Sequence, residues 1–242
     1  MKGITILTGS LAIAGAMFLS VPAVAGTFVL TSGSNSSTSG AAGNSKVVVA
    51  DGITMTATAW STDNTGVAFL PEAAYLGRYT TGVGVTNNNE GNGRDGNSHV
   101  IDNIGSYDFV RLVFSVPVVL TGLSRTAFDV VGGSAVDDWD AWVSYGSTGF
   151  GTAALWQGYL NRGVTVPNNG SLSNTNAGTT WLVGAARNDS QDRDDGFKLT
   201  SVSAVSAVPE PTTWAMMLVG FGFIGAAMRR RGSSHRGLLS GA

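Results

Sequence analysis

Asp108-Phe109-Val110-Arg111-Leu112-Val113-Phe114-Ser115-Val116 is the stretch whose reading decides the fold. Val110, Leu112, Phe114 and Val116 share one face, and Phe109, Arg111, Val113 and Ser115 share the other. A period of two belongs to a β-strand with one face on a core. Pro117 then marks an edge or a bend, because proline cannot donate to a strand ladder. Val118 to Leu120 resumes the apolar run.

The same pattern spreads outward on both sides. Over 47–60, Ile53, Met55, Ala57 and Ala59 alternate with Thr54, Thr56, Thr58 and Trp60, and threonine favours strands. Shorter strand candidates lie at 67–70, 74–79, 128–131, 139–145, 179–186 and 197–202. Turn clusters separate them, such as Val131-Gly132-Gly133-Ser134 and Pro167-Asn168-Asn169-Gly170. Many short strands without a long 3.6-period segment predict an all-β fold, an antiparallel sandwich of jelly-roll type over residues 26–207. The Ser/Gly/Asn-rich stretch 31–45 has no periodicity, so 26–46 reads as a flexible leader. No internal repeat of fixed period suggests a solenoid or propeller.

Residues 26–207 hold nine Lys/Arg against fifteen Asp/Glu, a net charge of −6. Such a surface excludes nucleic acid as a partner, since phosphate binding needs a basic patch. The chain has no cysteine, so thiol chemistry, disulfides and cysteine metal sites are excluded.

Both ends carry greasy segments. Lys2, the apolar stretch 4–19 and Ala23-Val24-Ala25 form a cleavable signal peptide over 1–25, with Gly26 as the mature start. The far end reads Val208-Pro209-Glu210-Pro211-Thr212-Thr213-Trp214-Ala215, then an apolar run to Met228, then Arg229-Arg230-Arg231. Pro209 and Pro211 fix φ and lack N–H donors, so that segment stays extended and accessible. The span 214–228 reaches roughly 22 Å as a helix, short of a hydrocarbon core of about 30 Å. It is a marginal membrane helix over 212–228, with 232–242 as a cytoplasmic tail by the positive-inside rule. Gly220-Phe221-Gly222-Phe223-Ile224-Gly225 matches G-x-G-x-x-G. It sits inside the apolar span with no βαβ unit, so small residues for helix packing are the better reading.

This ending, over 208–231, resembles the PEP-CTERM sorting signal in its Pro-Glu-Pro-x-x-Trp-Ala variant. The resemblance implies sorting of an exported protein by an exosortase. Pro209, Glu210, Pro211, Trp214, Ala215, Arg229, Arg230 and Arg231 are the implied motif residues. It implies signal peptidase and the general secretion machinery as further partners. The precursor would pass transiently through the inner membrane, and the processed product would reach the cell surface or matrix. The continuation past the arginines, 232–242, departs from the family pattern.

Polar residues concentrate in three places. One runs from Gly82-Val83-Gly84-Val85 through His99, Asp102, Asn103, Gly105 and Asp108; the others are Asp137-Asp138-Trp139-Asp140 and Asp192-Arg193-Asp194-Asp195-Gly196. The order resembles a domain of exosortase-dependent surface proteins, in which a Gly-x-Gly-Val turn precedes His-x-x-Asp-Asn-x-Gly-x-x-Asp. That resemblance implies a β-sandwich and no established activity. His99 with Asp102 suits a hydrolase dyad or, more simply, a hydrogen-bonded tight loop. No Gly-x-Ser-x-Gly elbow accompanies it, and one histidine without cysteine makes a poor zinc site. Asp102, Asp108, Asp138 and Asp140 suit calcium if they converge; otherwise they bond their own backbone in turns. Trp139, Trp142, Trp156, Tyr159 and Trp181 are candidates for stacking on sugar rings, but for any one of them core packing is the better reading. The expectation is therefore a non-enzymatic exported surface or matrix protein, associated with exopolysaccharide or biofilm. The alternatives are a carbohydrate-binding module and a polysaccharide hydrolase with two facing carboxylates.

Overall fold

A computed structural model describes residues 25–32, 42–63, 70–87, 99–130, 138–147, 149–168, 170–173, 175–186, 195–207 and 211–233. Readings that fall on Ala23 and the rest of 1–24, on Pro209 and Glu210, on 67–69, 132–134, 192–194 and 234–242 lie outside these. The strands are β1 (Ala25–Val29), β2 (Ser45–Ala50), β3 (Ile53–Asp63), β4 (Glu72–Ala73), β5 (Tyr75–Tyr79), β6 (Gly82–Thr86), β7 (Ile101–Asp102), β8 (Ser106–Ala127), β9 (Ala141–Gly146), β10 (Val164–Val166), β11 (Gly178–Ala185) and β12 (Gly196–Ser206). The helices are α1 (Ala153–Arg162) and α2 (Pro211–Ser233). The all-β expectation holds for 25–207 apart from α1.

The strand read over 108–116 is the first half of β8, and it continues straight through Pro117. That half pairs with β3, from Asp63↔Ser106 to Met55↔Phe114, and with β11 on its other edge, as at Trp181↔Leu112. The second half pairs with β12, from Ser206↔Val118 to Phe197↔Ala127. The neighbour on one edge thus changes from β3 to β12 across 115–117. Proline has no ladder donor to lose there, and its carbonyl accepts from Ala207 N at 2.9 Å. One lobe of the sheet runs β2-β3-β8-β11-β9-β10, with β4 also on β3. In the other lobe, β12 carries β1, β7 and β6 along its second edge, and β5 lies on β6.

The alternation fixes what each lobe buries. Met55, Ala57 and Ala59 from β3 join Val110, Leu112 and Phe114 from β8 in one core. Phe28, Val83, Val85, Leu199 and Val202 enter it from the other lobe. Residues of opposite parity on β8 and β11, Phe109 and Leu182, bury under α1 with Trp142, Phe150, Trp156 and Tyr159. Thr152 caps α1, its hydroxyl accepting from Leu155 N at 3.3 Å. Over β8, β9 and β11 the sheet is therefore covered by apolar side chains on both faces, and a clean in/out alternation is lost there, while β2 and β3 keep it.

Two sequence expectations need correction. The leader over 26–46 opens as β1, paired from Ala25↔Val205 to Val29↔Ser201, because Phe28 is fully buried; Ser45 and Lys46 already belong to β2. Gly82-Val83-Gly84-Val85, read as a turn, lies in β6. Its glycines answer a close approach, for a Cβ on Gly84 would overlap the carbonyl oxygen of His99.

The chain divides into two units, one of 23–209 and one of 1–22 with 210–242, which holds α2. Helix α2 covers the apolar run, and Leu218, Phe221, Phe223, Ile224 and Met228 are exposed on it. Among the described residues no helix is long and apolar enough to cross a membrane. The spanning helix over 212–228 is thus not borne out as a span. The physical reason is length: the apolar stretch is short of a bilayer core, and glycines dilute it.

Gly84→Ala will lower stability by about 3 kcal/mol, since backbone rather than a mobile side chain blocks the new methyl. Gly122→Ala, whose nearest neighbour would be the Ser203 Cβ at 3.6 Å, will be close to neutral. Urea unfolding of the two variants checks the contrast.

Candidate functional site

The predicted polar residues gather where β6, β7 and β12 meet the starts of β8 and β9. His99 sits just before β7 with φ 80°, a left-handed backbone uncommon outside glycine. Its Nδ1 shares a hydrogen bond of 2.7 Å with the Thr86 hydroxyl, and its ring lies 5.6 Å from that of Tyr79. The Asp102 carboxylate accepts from Ile104 N at 2.9 Å, closing a turn in which Gly105 takes φ 72°. Asn103 donates to Ala186 O at 3.1 Å and to the Asp195 carboxylate at 2.9 Å. Asn87 donates to Asp108 at 3.1 Å. Asp102, Asn103, Asp108 and Asp195 are all buried. Buried carboxylates need such partners, because an unpaired charge is costly in a low-dielectric interior.

Asp138 and Asp140 come from the chain entering β9. Asp138 pairs as an isolated parallel bridge with Asp195, its carbonyl accepting from Gly196 N at 2.9 Å. Its carboxylate accepts from Asp140 N at 3.1 Å, and Asp140 O accepts from Ala186 N at 3.0 Å. Asp138, Asp140 and Asp195 offer carboxylate oxygens within 4.8 Å of one another. Of the four aspartates read as a converging calcium set, Asp138 and Asp140 meet, with Asp195 as the third member. Asp102 and Asp108 are not in that group among the described residues. Three carboxylates supply about half of the oxygens that calcium takes.

Arg125 supplies positive charge to this corner. From β8 it donates to the carbonyls of Trp139, Val166 (3.2 Å) and Pro167 (2.9 Å). Asn168 closes the corner, accepting from Trp139 N at 2.7 Å through its side chain and from Trp139 Nε1 at 3.0 Å through its backbone. Burial lowers the Arg125 guanidinium from its ordinary value, while Asp140, Asp195 and Asp138 pull it back up. Burial, and then the like charge of Asp138, raise the Asp140 carboxyl; a backbone hydrogen bond from Asn168 and Arg125 oppose the rise. A second enclosed cation, Lys198, lies 3.9 Å from the Tyr79 ring centre and 4.2 Å from that of Phe128. Burial lowers its pKa, and the ring faces offset part of the lost hydration.

The aromatic candidates are placed otherwise than a sugar platform requires. Trp142, Trp156, Tyr159 and Trp181 are buried. Trp156 and Tyr159 are the buried side chains of α1 and pack with Trp142 of β9 in the second core, and Trp156 stacks on Phe109 at 5.4 Å. Trp181 donates from Nε1 to Val118 O and Gly178 O, both at 3.2 Å, across the bulge between β8 and β11. Trp139 is partly buried against the main core. Sequence reasoning also passed over Thr86, Arg125 and Lys198. Arg125 was findable, as the one charged residue in the Ser/Thr/Leu-rich run 112–128.

Of the sorting residues, Pro211 opens α2 and Arg229 is exposed near its end. Ala25 and Gly26, at the read cleavage point, form the first two residues of β1.

Comparison with known proteins defines the class of this ending. Residues 207–231 match the family model described as the PEP-CTERM protein-sorting motif. The chain thus carries the motif that marks an exported protein for exosortase-dependent sorting. No curated protein and no solved structure matches it.

Because the Asp140 pKa is raised on folding, the folded state holds that proton more tightly than the unfolded chain. Stability from this group is lost as pH rises from the ordinary aspartate value through the raised one. Asp140→Asn will therefore raise Tm at pH 7 by about 1–2 °C. The gain will vanish near pH 3, as thermal melts across that range will show.

Proposed function

We propose that this chain is the precursor of a non-enzymatic surface or extracellular-matrix protein, released from its sorting tail and associated with exopolysaccharide. The observation that carries this reading is the sorting motif at 207–231 placed directly after a β-rich unit, 23–209, that has its own core. We further read that unit as a sandwich. Phe28 of one lobe packs edge-on against Phe114 of the other at 5.2 Å, as side chains of two facing layers do.

The non-enzymatic part rests on how the polar residues are used. His99, Asp102, Asn103 and Asp108 have backbone and side-chain partners that hold turns and strand ends. That is the work of structural polar groups, and a general base in a cleft would be placed differently. The carbohydrate-binding alternative loses support from Trp142, Trp156, Tyr159 and Trp181, whose rings are spent on packing. The C-terminal helix is read here as a transient hold, which a short apolar run suits better than permanent anchorage.

Intact-mass measurement of protein recovered from the cell exterior will give a species that begins at Gly26 and ends before Arg229. Glu210→Ala will leave most of the protein as precursor with its tail attached. Unchanged surface delivery of that variant would remove the sorting account.

A further inference from the structure

A second feature lies away from the polar corner, between β9, α1 and the segment 170–177. Two depressions of about 180 Å³ and about 370 Å³ adjoin there, sharing Tyr145 and Arg162 in their walls. Both open to solvent, so together they make a shallow groove that a chain can lie along. The floor of the first is apolar, with Val143, Leu172 and Trp181, and exposed Ser173 and Thr175 stand on its rim.

Arg162 is the one charged residue in either wall. It is also the one charged side chain from Ala141 to Ala186, in a region otherwise net acidic at 26–207. Its guanidinium is held in place although the residue is exposed. Nε donates to Tyr145 O at 2.9 Å. The group lies 5.6 Å from the Tyr145 ring centre and 5.4 Å from that of Tyr159. The guanidinium lies over Gly158, one turn back on α1, where a Cβ would meet both Nη atoms at 3.6 Å, an ordinary van der Waals contact. Nε is used internally, and the two Nη groups remain as donors beside the groove. A fixed planar fork of this kind suits a carboxylate better than a mobile lysine would. Its immobilisation also reduces the entropy lost on binding.

The geometry points to this groove as a binding site for an acidic polysaccharide, with Arg162 Nη1 and Nη2 pairing with a uronate carboxylate. The Ser173 and Thr175 hydroxyls meet sugar hydroxyls along the rim. This assignment rests on the reading of exopolysaccharide association and names the site and the sugar class. Exported wild-type protein and its variants would be titrated with polygalacturonate, alginate, hyaluronate and neutral dextran, with thermal melts as a folding control. Wild type will bind at least one uronate polymer and not dextran, and high salt will weaken the binding. Arg162→Ala will lose about tenfold or more in affinity, and Arg162→Lys will recover part of it. Thr175→Trp, which fills the groove without touching the guanidinium, will weaken binding too. Failure to bind any uronate polymer, equal binding of dextran, or full binding by both Arg162→Ala and Thr175→Trp would each overturn the site. Co-fractionation with the producing strain's own polysaccharide separates the two readings. If Arg162→Ala co-fractionates as wild type does, the association stands and this groove is not its cause.

Discussion

A single long strand, β8, holds the two lobes of the sheet in one hydrogen-bonded network. Its first half lies between β3 and β11, and its second half takes β12 on the edge that β3 has left. Pro117 sits in the interval between those two neighbours. Elsewhere in β8 a missing N–H would cost a ladder bond; here the ladder is already interrupted. The bulge between Gly178 and Thr180 falls beside the same interval, and the Trp181 indole bridges it through two carbonyls. A register slip in β8 would exchange Val110, Leu112 and Phe114 for Arg111, Val113 and Ser115 in the main core.

Strands with plain alternation or continuous apolar runs were legible in the sequence. Half of β8, most of β9 and β11, and the start of β12 fall where the pattern places them. What escaped was decided by contacts far away in the chain. β1 is short, with Ala25, Thr27 and Val29 on its exposed face, and it is a strand because Phe28 is buried beside β12. β6 has two glycines that lower strand propensity; Gly84 is needed because the His99 backbone crosses close by, and Gly82, at φ 123°, because the Leu199 carbonyl does. α1 is ten residues long with two buried side chains, Trp156 and Tyr159, too few for a 3.6-residue period to show. The aromatic side chains are buried as core packing predicted, but the place of that packing was not legible, since a hidden helix turned an outer sheet face into a second core.

The polar corner was half legible. His99, Asn103, Asp138 and Asp140 were singled out, and each helps to join strand ends. The partners that give them meaning come from 13 or more positions away; Thr86 carries no local signature, Arg125 stands out only as a lone charge, and Asp195 only as a member of its own acidic cluster. The crowding of Asp138, Asp140 and Asp195 sits near Arg125, whose charge offsets part of their mutual repulsion. Sequence spacing offers no route to such an arrangement, because β topology alone brings 138 beside 195.

The register of β1 against β12 sets Ala25 opposite Val205. The first residue of the folded unit and one of its last therefore leave from the same corner, side by side, although nearly the whole domain separates them in the chain. Gly196, at the other end of β12, is roughly 30 Å away along the strand, beside the aspartates. A molecule gripped by either terminus is thus gripped at one pole. A cut made at either extremity would fall near the other, away from the aspartates.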